Sequence, residues 1–115
     1  MRESTASPKQ DFLFIKSDYK IVKIKFHDIL FCKGMKDYIQ IYVDGKPKPV
    51  ITLKSLNSFE TKLPPDKFIR VHRSYLISLL HIDTISKNEI SIGTHIVPIG
   101  NIFRSKFFSV VDLNS

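Results

Sequence analysis

The chain has little cysteine, little glycine and no long apolar run, and each shortage excludes something. One cysteine, Cys32, in 115 residues cannot form an internal disulfide, and it has no CxxC partner for zinc. It follows Phe31 in an expected strand, where cysteine behaves as a small hydrophobe. Only four glycines are present, with neither a phosphate-cradling P-loop nor a GxSxG nucleophile elbow. His27, His72, His81 and His95 show no HxxxH or related metal spacing. The carboxylates are scattered: Glu60 and Asp66 flank a helix end, Asp83 and Glu89 flank a hairpin, and all four read as solvated surface. Without converging reactive groups, no enzyme, cofactor or metal site is expected. Apolar strings are broken by Lys, Asp or Ser within a few positions, well short of a membrane span. The opening MRESTASPKQ is polar and lacks the apolar core of a secretion signal. A cytoplasmic protein with no membrane partner is the expectation.

Acidic residues are also scarce. Eleven Asp and Glu face eighteen Lys and Arg, a net charge of +7 with pI near 9.6. A small domain this basic accumulates at polyanions, of which nucleic acid is the commonest in a cytoplasm. Solubility alone also asks for a net charge of this size. The cations recur beside expected turns rather than forming one tail. Lys33 and Lys36 share one turn region, Lys62, Lys67, Arg70 and Arg73 cluster further on, and Arg104 and Lys106 follow near the C-terminus.

A chain of this length fits one small domain with its own core. Residues 1–11 read as a disordered lead-in or linker remnant and residues 12–115 as the domain. FLFIKS and KIVKIKF, separated by Ser17-Asp18, carry strand patterning. His27-Asp28 makes a break, ILFCK is a buried strand and YIQIYV its hairpin partner across Gly34–Asp37. Asp44-Gly45 marks a turn, and Pro47 and Pro49 keep that connection out of a central strand. Leu53, Leu56, Phe59 and Leu63 predict an amphipathic helix of about three turns, with Thr52 as N-cap and Pro64-Pro65 as terminator. HIDTIS and EISI predict a hairpin around Lys87-Asn88, and HIVPIG a further strand after Gly93. Ile102, Phe103, Phe107, Val110 and Val111 recur at three and four, predicting a closing helix. Strands outnumber helices without a βαβ rhythm, so the expected class is mostly β and antiparallel with minor helices.

Phe68 to Ser78, FIRVHRSYLIS, interleaves Arg70, His72 and Arg73 with apolar residues. On a strand, Ile69 and Val71 share one face while Phe68, Arg70 and His72 share the other. A cation held on a packed strand is preorganised to grip an anion, though an edge strand also carries charges to discourage aggregation. Phe12, Phe14, Phe59, Phe103 and Phe107 fall at core periodicity, which leaves no exposed aromatic pair for stacking RNA bases.

Laid out this way, the chain resembles the LytTR family of DNA-binding domains of bacterial response regulators. The resemblance rests on DILFCKGMKDYIQIYVDG, on TLKSLNSFETKLPPDKFIRVHRSYLISLLHI with its His-Arg-Ser-Tyr segment, and on EISIGTHIVPIGNIFRSKF, in the family's order. It implies stacked small antiparallel sheets with two short helices, whose loops rather than a recognition helix enter successive major grooves. Three places are implied to face bases: Lys36, Asp37 and Tyr38; His72 and Arg73; and Gly100 and Asn101. Arg73 can offer its planar fork to guanine or phosphate, and Asn101 can pair with an adenine edge. Tyr75 reads as core. Lys33, Lys67, Arg70, Arg104 and Lys106, with Lys36 beside them, are cast as phosphate contacts, which position without specifying. Gly100-Asn101 stands where many relatives carry Ser-Arg, and Ser78 where many carry Asn. The resemblance further implies a transcriptional regulator, the effector half of a two-component phosphorelay. Its expected partner is double-stranded DNA at paired direct repeats, bound by a homodimer formed through a receiver domain outside this sequence. The reading kept open beside it is a basic β module for RNA or an acidic protein.

Overall fold

Alternating apolar positions build most of this molecule. The computed structural model describes residues 10–112; the first nine residues of the expected lead-in lie outside that range. Leu13 and Ile15 alternate with outward side chains along β1 (Phe12–Ser17), which pairs antiparallel with β2 (Lys20–Lys25). A short 3-10 turn, Phe26–Asp28, leads into β3 (Ile29–Gly34) and β4 (Ile39–Val43), and β5 (Val50–Thr52) completes this run. After α1 (Leu56–Glu60) come β6 (Phe68–His72) and β7 (Tyr75–Ser78). β8 (Thr84–Ile85), β9 (Glu89–Ile92), β10 (His95–Pro98) and α2 (Arg104–Asp112) complete the described residues.

These strands form three antiparallel sheets: β1-β2, a central β5-β4-β3-β7-β6, and β10-β9-β8. The central sheet is covered on both faces. On one side Ile39, Ile41 and Leu76 pack with Leu13, Ile15 and Ile24 of the first hairpin and with Leu56 and Phe59 of α1. On the other, Phe31, Val71 and Ile77 pack with Ile90, Ile92 and Val97 of the third sheet and with Phe107 of α2. Stacked small sheets with two short helices are what the resemblance implied.

Several local expectations are corrected. Thr52 does not cap a helix: it is buried, lies in β5 and pairs with Ile39. The cap is Ser55, whose Oγ accepts from the Ser58 N–H at 3.0 Å, and Leu53 is exposed. Sheet pairing of Val50–Thr52 takes the first turn from the expected helix, which shrinks to five residues. The segment Phe68–Ser78 is not one strand but a tight hairpin that turns at Arg73-Ser74. Ile102 is 87% exposed rather than core. So is Phe14, at 62%, packed edge-to-face on Phe12, whose ring lies 4.4 Å from Lys23 Nζ. The outer face of β1-β2 therefore does present aromatic rings among lysines. Among the described residues no helix is long and apolar enough to cross a membrane.

Candidate nucleic-acid interface

Two bends join strands of the central sheet, β3 to β4 and β6 to β7, a third follows β10 of the neighbouring sheet, and main-chain hydrogen bonds tie them together. The link between β3 and β4 begins at Gly34, whose N–H donates to the Ser74 carbonyl at 2.8 Å. Met35 N–H closes that loop on the Tyr38 carbonyl at 2.8 Å. From the other side, Gly100 N–H donates to the Val71 carbonyl, again at 2.8 Å. A Cβ on Gly100 would stand 3.2 Å from the Phe103 ring, which would have to give by a few tenths of an ångström, and at an ordinary contact distance of 3.5 Å from His72 Cα. Lys36 and Asp37, Arg73, and Asn101 are exposed at these three bends. Tyr38 and His72 are half-buried beside them.

His72 is oriented rather than loose. Its Nδ1 accepts the Ser74 N–H at 2.9 Å, which leaves the ring proton on Nε2. The ring meets Tyr75 edge-to-face at 5.5 Å, and Lys33 Nζ sits 5.8 Å from the same tyrosine ring. Tyr75, half-buried and packed on the core, thus joins Lys33 to the His72 corner.

The cations cast as phosphate contacts do not share one surface. Arg70 is engaged internally, and this corrects its assigned role. Its Nε donates to the His72 carbonyl at 2.9 Å and Nη2 to the Arg73 carbonyl. Nη1 reaches Asn57 Oδ1 at 2.8 Å and Glu60 Oε1 at 3.0 Å, and only 15% of the side chain is exposed. A guanidinium so occupied has little left for a phosphate. Lys67 precedes β6 at the end opposite His72, about 16 Å away along an extended chain, and lines a cleft with Gln10, Asp11 and Phe26. Arg104 donates to Asn88 Oδ1 at 3.3 Å and lies over the Phe108 ring. Lys106, two residues on and so roughly 200° around the helix, faces a cleft with Glu60 and Asp66. Ser78 is 2% exposed on β7, which places its side chain in the packing and not on the surface.

Sequence reasoning passed over Asn57, read Glu60 only as solvated surface, and passed over Ser74. The first two stand three apart on the expected helix, which puts them on one face, but nothing in the sequence points that face at Arg70.

Fold and bends together define a small β-scaffolded domain with a set of linked, exposed loops. The LytTr DNA-binding domain family matches residues 19–107, and the chain belongs to that family. A curated relative, the CO-responsive transcriptional regulator RcoM of Rhodospirillum rubrum, is 46% identical over 35 residues. That alignment takes in 30% of this chain and 15% of the relative. Among solved structures, the LytTr DNA-binding domain of a Bacillus cereus protein described as a methyl-accepting/DNA response regulator superposes with a TM-score of 0.76. It is 21% identical, over 90% of this chain and 98% of that one, and supports the fold. DNA is the partner that family membership gives this domain.

Proposed function

We propose that this chain reads duplex DNA sequence-specifically through the three linked bends, as the effector domain of a cytoplasmic transcriptional regulator. The single observation that carries the reading is the direct backbone linkage of the bends, Gly34 to Ser74 and Gly100 to Val71. It holds exposed Arg73, Lys36 and Asn101 in one assembly. Arg73 serves a base edge or phosphate, His72 Nε2 donates from beside it, and Asn101 suits an adenine edge. Lys33 and Lys36 follow the backbone. Control by a phosphorylated receiver, pairing of two copies and binding at direct repeats complete the proposal.

Selection from random duplexes followed by sequencing tests it directly. An enriched motif is expected, and Arg73→Ala should weaken that motif by about 1–3 kcal/mol while flattening preference among sequences. Equal weakening on every duplex would make Arg73 a phosphate clamp.

A second reading, single-stranded nucleic acid, is favoured by one observation: exposed Phe14 beside Phe12 and Lys23 on the outer hairpin face. Aromatic rings among lysines suit stacked bases. Competition of duplex, single strand and RNA of equal length against one labelled duplex separates the two.

A further inference from the structure

Arg70 holds the backbone of the very turn that presents His72 and Arg73. Its guanidinium bonds two successive carbonyls, those of His72 and Arg73, on one side. On the other it bonds Asn57 and Glu60 of α1. The register of β6 against β7 slips between Arg70 and His72, so sheet pairing alone does not fix the carbonyls beyond the slip. The turn also contains neither glycine nor proline. A planar fork with fixed donor directions can set a backbone where a flexible ammonium cannot.

We infer that Asn57, Glu60 and Arg70 form a positioning clamp that sets the aim of His72 and Arg73 while itself touching no DNA. The inference rests on the reading that this turn meets the duplex. It has a consequence that simple electrostatics would reverse. Removing a carboxylate from a domain that binds a polyanion ordinarily strengthens binding. Here Glu60 anchors Arg70, so its loss should weaken recognition.

The test compares the full chain with E60A, R70K, R70A and R73A on the duplex found by selection and on an unrelated duplex, across a range of salt. For E60A, whose side chain is 42% exposed, the selected duplex should bind about tenfold more weakly, the scale of one charge-assisted hydrogen bond. Its salt slope should stay unchanged, and the unrelated duplex should bind as before or more tightly. R70K should lose discrimination as R70A does, because lysine cannot bridge two carbonyls and α1 together. Exchange of the Ser74 amide, which donates to His72, should accelerate in E60A without any DNA present.

Undiminished or stronger binding of the selected duplex by E60A, with R73A impaired, overturns the clamp. So does a fall of about 0.9 in the salt slope of R70A, which would make Arg70 a phosphate contact. If R73A is silent as well, the reading of the turn as a DNA contact fails first and takes the inference with it.

Discussion

Cys32 shows how far one side chain's surroundings decide its chemistry. It is fully buried in the central sheet, paired with Ile41 on one side and Leu76 on the other. Burial pushes its thiol well above the ordinary cysteine range, because a thiolate there would lose its hydration without gaining a partner. A raised folded-state pKa keeps the group protonated through neutral and moderately alkaline pH, and only thiolate reacts. A disulfide-exchange reagent at pH 8 should therefore label the native protein far more slowly than the urea-unfolded chain; equal rates would contradict the burial. The cysteine's role was legible in the sequence because it depends on its strand alone. Arg70's was not. Its side-chain partners lie ten and thirteen residues away, and no local pattern announces which cation will be consumed inside the fold.

At the scale of elements, β1, β2 and β4 were legible from their one-in-two alternation, and β3 from the unbroken apolar run of a strand buried on both faces. The region from Val50 to Glu60 was not, because a three-residue strand and a five-residue helix share a stretch whose apolar spacing suits one longer helix. Ser55 decides where the strand gives way, by capping the Ser58 N–H. The turn at Arg73-Ser74 was equally hidden: its bonds come from Arg70 and from the His72 ring, which are tertiary choices rather than turn chemistry. For α1, Ser55→Ala should cost about 1 kcal/mol in urea denaturation. Phe59→Ala, at a site with 0% exposure, should cost about 3–5 kcal/mol. A cap change without effect would mean that tertiary packing alone fixes this helix.

For the whole molecule, net charge foretold the kind of partner better than it foretold which cations meet it. Lys36 projects from one of the linked bends, whereas Lys67 stands at the far end of β6. Binding to duplex should fall with salt at a logarithmic slope of roughly 0.9 per phosphate contacted. Lys36→Gln should lower that slope by about one contact, and Lys67→Gln should leave it unaltered. A reversal of the two would move the interface to the other end of the sheet. Placing the cations needed the path of the strands, which separates neighbours in sequence such as Lys67 and Arg73.

Neighbouring residues of β7 belong to opposite interiors, Leu76 to one and Ile77 to the other, and the same ribbon carries Tyr75 next to the Arg73-Ser74 turn. Slack introduced on either side is therefore transmitted along one ladder to Arg73. A genetic screen for variants that no longer recognise their operator would return a majority of hits among side chains that never see solvent, and only a minority at the bends themselves.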